Sequence, residues 1–278
     1  MATLIQILQN TLAAKDPLLS NETRRIVLKE VLQALVLDFL YNDRVYRSLN
    51  FYGGTCLHMI YELNRLSEDI DLDNSQGIDL VHLADDLLGY IHKRLEYREV
   101  IVTQHDSEQG IIRILLKFPV LLDLGLSQHH DEMLHLKVEI SQHRQVALIK
   151  HTPVIIYGRS FVPSHFSLET MMAGKILACL ERSFQVGATA TTIKGRDFYD
   201  LLWFMQKRIK PLEEKLEKDG TQPYSVKSVM LLLQEKVAEI RPKDLARDLL
   251  PLFEQRVFIE AWISAFQENF QEHVQHYL

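Results

Sequence analysis

The chain has 278 residues, with 31 Lys and Arg against 37 Asp and Glu for a formal net charge of −6, and 47% of it is hydrophobic and 24% charged. This is ordinary globular composition: it excludes a disordered or low-complexity chain and leaves enough apolar mass for one large domain or two small ones. The mild acidity excludes a surface that attracts nucleic acid everywhere, though not a local basic groove.

The N-terminal stretch MATLIQILQNTLAAKDP lacks a basic start, a long apolar run and a small-residue cleavage site, so no targeting segment is expected. The first fifty residues read as helices. Ser20-Asn21-Glu22 is a start signal, and Arg24 to Tyr46 carries Val27, Val31, Leu32, Leu35 and Phe39 at helical spacing, with Asp38 off that stripe and expected to face solvent. Gly53-Gly54 breaks the pattern after Leu49 to Tyr52, and a second helix follows with Leu57, Ile60, Tyr61 and Leu63 on its apolar face.

In SEDIDLD, residues 67–73, acids and aliphatics alternate with the period of a strand, so Asp69, Asp71 and Asp73 share one face. A helix is expected from Asp79 to Leu95. Strands are expected over Arg98–Thr103, Ile111–Pro119 and Leu134–Ile140. Ser167 can cap a helix reaching about Phe184, followed by the turn-rich QVGATATTIKG and a helix from near Arg196 to Lys207. KPLEEKLEKDGTQP reads as a charged surface helix and loop. The remainder, from Ser225, is helical with interruptions near Arg241-Pro242 and Pro251. The fold class is therefore α+β, with a mixed α/β sheet up to about residue 160 and helices on either side of it. The expected division is a sheet-bearing core over 1–160 and a helical domain over 161–278.

Two cysteines, Cys56 and Cys179, cannot build a disulfide framework and fit a reducing cytoplasm. No run approaches the roughly 18 apolar residues of a membrane span, so no membrane partner is expected. The histidines His129, His130, His135 and His143 show no metal-ligand spacing and read as exposed.

The constellation richest in chemistry is Gly53-Gly54-Thr55 followed by Ser67-x-Asp69-x-Asp71. Two glycines at a helix start let the backbone approach a ligand, and free N–H groups with the helix dipole favour a phosphate. Carboxylates at i and i+2 on a strand project side by side, which suits one or two Mg²⁺ ions bridging the oxygens of a nucleoside triphosphate. Either feature alone more simply marks a turn or a solvent-facing edge strand. Their pairing across one helix points to a site. Ser67 shares the carboxylate face, as a nucleotide contact or modification point, or as a hydroxyl capping a turn.

The segment FYGGTCLHMIYELNRLSEDIDLD resembles the opening motif of the polymerase-β-like nucleotidyltransferase superfamily, and more narrowly that of the AbiEii toxins of bacterial toxin–antitoxin and phage-defence systems. The narrower resemblance also rests on Lys175 in MMAGKILACLER and on KGRDFYDL at residues 194–201. It covers the chain from about Arg24 into the C-terminal helices. It implies a nucleotidyltransferase core in which Asp69 and Asp71 hold Mg²⁺ and Gly53, Gly54 and Thr55 cradle the triphosphate. Glu139 is the candidate third metal carboxylate, but it shares a strand face with Lys137 and is equally well that lysine's partner. Asp123, in a loop after Pro119, competes for the role.

Lys175 either snorkels to the surface from its amphipathic helix or offers a point charge to the triphosphate. Asp197 and Asp200 sit where the helix dipole favours acids, while the resemblance places Asp197 in the site near Lys175. Lys194 and Arg196 either bind phosphate or pair with those acids. Residues 137–210 hold 11 basic and 5 acidic residues, a stretch where polyanionic substrates can sit. The resemblance implies a Mg²⁺-dependent enzyme that moves a nucleotide from an NTP to an acceptor, the 3′ end of a tRNA, and is held in check by an antitoxin encoded nearby. A nucleotide-binding regulatory module without transfer activity, and transfer to a protein acceptor, are the alternatives.

Overall fold

The computed structural model describes residues 3–107, 110–182, 184–186, 189–191 and 193–278. They form two compact units, residues 1–144 with 150–165 and residues 145–149 with 166–278.

The first unit opens with α1 (Leu4–Ala13), started by a Thr3/Gln6 capping box, and α2 (Asn21–Asn42), capped by the Ser20 side chain. Helix α2 is buried on nearly every side: Ile26, Val27, Leu28, Val31, Leu32, Ala34, Leu35, Val36, Leu37 and Leu40 are all core. A helix buried this fully belongs inside a domain, and its buried polar residues find partners there, as Gln33 does by donating to the Ser67 carbonyl at 2.9 Å. It stops at Asn42, short of the expected Tyr46. The Asp43 carboxylate accepts from the N–H groups of Val45 and Tyr46 at 2.7 and 3.2 Å, which turns the chain out of the helix. Asp38 is not simply solvent-facing as expected: it accepts from the Tyr90 hydroxyl at 3.2 Å and lies 3.7 Å from Arg159.

The chain then forms β1 (Asn50–Tyr52), α3 (Gly53–Tyr61), β2 (Ile70–Asp73), α4 (Leu83–Arg94), β3 (Ile101–Asp106), β4 (Ile111–Phe118) and β5 (Leu134–Ser141). Four three-residue strands follow: β6 (Ile149–His151), β7 (Val154–Ile156), β8 (Arg159–Phe161) and β9 (Ser164–Phe166). The main sheet has the order β3-β4-β5-β2-β1-β9-β6, and β7 pairs with β8 in a separate hairpin. Strand β2 is antiparallel to β1 and parallel to β5, so the sheet is mixed. On β5, Leu134, Leu136, Val138 and Ile140 are core, packed beneath α2, while Lys137 and Glu139 take the other face.

The second unit consists of α5 (Leu168–Glu181), a short antiparallel pair β10 (Phe184–Val186) and β11 (Thr189–Thr191), and then α6 (Gly195–Gln206), α7 (Glu213–Lys218), α8 (Val226–Ala238), α9 (Pro242–Leu249) and α10 (Arg256–Val274). The turn-rich expectation over QVGATATTIKG falls partly outside the described residues. Caps set the helix starts: Ser167 accepts from the Thr170 N–H, Ser225 forms a capping box with Ser228, and Pro242 opens α9. At Gly195 a Cβ would sit 3.1 Å from the Leu245 Cα, so only glycine lets α6 approach α9 this closely. Aromatic residues near the C-terminus pack onto α6, with Tyr199 at 4.9 Å from both Phe253 and Trp262 and Phe198 at 6.2 Å from Phe266. Helix α7 departs from the expected surface helix. Its Lys215 is buried and reaches Asp219 at 2.6 Å and Gln145 at 3.3 Å, with Leu216 buried beside it.

Candidate active site

In the first unit the sheet brings together most residues that the sequence singles out. Tyr52, the last residue of β1, pairs with Asp71 on β2, so the Gly53-Gly54 turn starts α3 directly beside the Asp71 side chain. Gly53 has φ +79°, and a Cβ there would fall 2.1 Å from Asp71 Oδ2. A Cβ on Gly54 would meet Arg65 Nη2 at 2.7 Å and Ser67 Oγ at 2.9 Å. Both glycines are therefore required by close approach as well as, at Gly53, by backbone conformation. No side chain caps this helix start, which leaves its first-turn N–H groups available to an anion. Thr55 contributes only its backbone there: its side chain is buried and its hydroxyl donates to the Asp69 carbonyl, tying α3 to the carboxylate strand.

Asp69 and Asp71 remain half-exposed on one face, while Asp73 is buried and accepts from Asn50 Nδ2 at 3.1 Å and from the Ser75 N–H at 3.2 Å. Three acids share the strand face, but only two stay open to a ligand face. Glu139 lies beside Asp71 in the parallel register of β5 with β2. Its Oε1 accepts from Arg113 on β4, with contacts at 2.7 and 2.5 Å, and its Oε2 lies 3.2 Å from Lys137 Nζ. Lys137 also lies 3.0 Å from Asp69 Oδ2. Burial alone would raise the Glu139 pKa, but the Arg113 hydrogen bond and the Lys137 charge hold it below the ordinary carboxylate value.

Two cations at this face carry no sequence motif. Arg65, 3% exposed, backs the Gly-Gly turn, and Arg113 sits across the antiparallel ladder from Glu139. Their signals were faint: Arg113 is a lone polar residue in an aliphatic run, and Arg65 stands two residues before Ser67. His129, His130, His135 and His143 are exposed, and Asp123 lies in a turn.

The second unit holds its own charged cluster. Lys175 on α5 does not snorkel: Nζ is 2.7 Å from Asp197 Oδ1 and 2.8 Å from Asp200 Oδ2, both on α6 and both buried. Arg182 adds a longer contact to Asp197 at 3.8 Å. Burial would raise the Asp197 pKa, yet the Lys175 charge and hydrogen bond lower it to about 2. Lys194 precedes α6, and burial beside Arg196 lowers its pKa. The Arg196 N–H donates to Asp248 at 2.8 Å.

Asp69 and Asp71 present hard carboxylate oxygens on one face beside a cradle that a Cβ would fill, a donor set that suits Mg²⁺. Among the described residues, no group of three or more His, Cys, Asp or Glu side chains could hold a metal ion. No helix of the described residues is long and apolar enough to cross a membrane.

The structure resembles that of JHP933 from Helicobacter pylori, with a TM-score of 0.52 and 20% identity over 93% of this chain and 94% of that one. It also resembles a candidate nucleotidyltransferase from H. pylori, with a TM-score of 0.51 and 20% identity over 89% of this chain and 94% of that one. At that identity the likeness shows the fold alone, a mixed sheet with helices at both ends of the chain. None of the curated proteins matches the chain. The model of the nucleotidyl transferase AbiEii toxins, from type IV toxin–antitoxin systems, matches residues 38–278. The chain belongs to that family, and is a nucleotidyltransferase whose family implies a nucleotide substrate and an antitoxin partner.

Proposed function

We propose that this enzyme transfers a nucleoside monophosphate from an NTP to the 3′ end of a tRNA in a Mg²⁺-dependent reaction, stopping translation as the toxin of a phage-defence pair in the cytoplasm. The observation that carries the reading is the Gly53-Gly54 turn seated against Asp71, which puts a helix start without a side-chain cap beside a half-exposed pair of carboxylates. Asp69 and Asp71 would hold Mg²⁺, which when bound supplies charge neutralisation on the triphosphate oxygens. Gly53, Gly54 and the Thr55 N–H bind phosphate, and Ser67 and Arg65 line the turn. Glu139 either completes the carboxylate set or anchors Lys137. Lys175, oriented by Asp197, offsets charge as pyrophosphate leaves, and Lys194 and Arg196 bind phosphate. The tRNA acceptor, the nearby antitoxin gene and the joint use of a core and a helical domain rest on the family resemblance.

Incubation with each labelled NTP, Mg²⁺ and total RNA tests the reading. Label should enter the tRNA fraction with the wild type and not with Asp69→Ala. Label on protein instead would overturn the acceptor, and no transfer to anything would overturn the enzymatic role of the site.

A further inference from the structure

Lys137 shares the carboxylate face with Glu139, as the alternation on β5 leads one to expect, but it also reaches across to Asp69. It stands one residue before Val138 on β5, and Asp69 one residue before Ile70, the pair that opens the parallel register of the two strands. Its ammonium therefore falls between two strands and touches an acid on each, Asp69 Oδ2 at 3.0 Å and Glu139 Oε2 at 3.2 Å. Glu139 spends its other oxygen on Arg113. Three carboxylates thus share their face with two fixed cations, and the one carried by Lys137 lies on the very oxygen set from which Asp69 would bind a metal.

We propose that Lys137 is the resident counter-ion of this face, and that a divalent cation binds Asp69 only as the ammonium leaves it. The inference rests on the reading that Asp69 and Asp71 hold the metal. Both cations need the same carboxylate, and two positive charges at one carboxylate repel. Without metal, Lys137 relieves the repulsion among Asp69, Asp71 and Glu139, so the strands pair with the site empty. With metal, Glu139 keeps the ammonium close by, and Glu139 acts as the positioning residue for Lys137 rather than as a ligand. An ammonium has three donors, so the displaced lysine retains capacity for an anionic substrate.

The test is Mn²⁺ binding to the full chain without nucleotide, followed by the electron paramagnetic resonance of free Mn²⁺. Lys137→Met should bind Mn²⁺ roughly three- to tenfold more tightly than the wild type, the size expected when a half-buried ion pair no longer competes. Lys137→Arg, which restores a cation, should return the affinity to near the wild-type value. Mn²⁺ should also raise the melting temperature of Lys137→Met more than that of the wild type. If the Met variant does not fold, Lys137→Gln, which keeps a donor, replaces it. Affinity in the uncharged variant equal to or weaker than that of the wild type overturns the proposal. Asp71→Asn separates the two ideas: if it binds Mn²⁺ like the wild type, or if no variant binds Mn²⁺, the metal reading itself fails. If Asp71→Asn abolishes binding while Lys137→Met does not tighten it, only the role of Lys137 fails.

Discussion

Lys175→Met should destabilise the second unit far more than a surface substitution would. Its ammonium, 15% exposed, is the short-range partner of two carboxylates that are 5% and 0% exposed. An Asp197 carboxyl lowered from 3.8 to about 2 contributes roughly 2 kcal/mol to stability at neutral pH. Removing the lysine forfeits that and leaves two buried acids without the ammonium that touches both, a loss of about 3–5 kcal/mol. For a unit of this size that is a fall of roughly 6–20 °C in melting temperature. Because the folded pKa is depressed, the contribution is complete above pH 3.8 and is lost as pH falls through about 2. That acid-side loss should vanish in the variant. Trp203 and Trp262, the two tryptophans of the chain, both lie in the second unit, so tryptophan fluorescence during denaturant unfolding reads it selectively. The triple variant Lys175→Met, Asp197→Asn, Asp200→Asn should recover most of the loss, since it buries no unpaired charge. A Lys175→Met protein within about 1 kcal/mol of the wild type at pH 7 would refute the reasoning. The point matters for toxicity assays, where relief of growth arrest by a Lys175 variant is equally explained by a weakened fold.

Gly53→Ala should cost about 1–2 kcal/mol in backbone strain at φ +79° and push Asp71 aside. Nucleotidyl transfer should then fall on the order of 100-fold with only a modest loss of melting temperature, and full activity in the alanine variant would refute the cradle. The buried Glu30–His58 pair, 3.2 Å apart with the Tyr157 hydroxyl donating to Glu30, predicts a pH-dependent stability. Burial opposes both charges, but each partner holds the other ionised, lowering Glu30 below 4.5 and raising His58 above 6.5. Glu30 contributes above 4.5 and loses its effect as pH falls; His58 contributes below 6.5 and loses its effect as pH rises through its raised value. Glu30→Gln should therefore lower the melting temperature more at pH 6 than at pH 9, and an equal drop at both would remove the pair from the account.

The parts of the fold that carry periodicity were legible. The alternation in LHLKVEIS became β5, and the acids of SEDIDLD share a face on β2. The helix starts at Ser20, Ser167 and Ser225 follow from hydroxyl caps. The short strands β6 to β9 were not anticipated, because three residues are too few to show a period. Boundaries moved where a side chain intervened, as at Asp43, and at Asp79, whose carboxylate accepts from the Val81 N–H at 3.0 Å so that α4 begins only at Leu83. The turn and the carboxylates were legible because their chemistry is local. Arg65, Arg113 and the bridging place of Lys137 were not, since which cation meets which acid depends on register between strands distant in sequence.

Helix α2 carries a last consequence. Family likeness begins at residue 38, yet the helix that covers the core face of β5 spans residues 21–42 and is buried around most of its circumference. A chain trimmed to the region of likeness would keep every residue proposed for chemistry and strip the sheet of its cover, exposing Leu136, Val138 and Ile140 to water. Relatedness and foldability have different borders in this protein, and shortening it should respect the second.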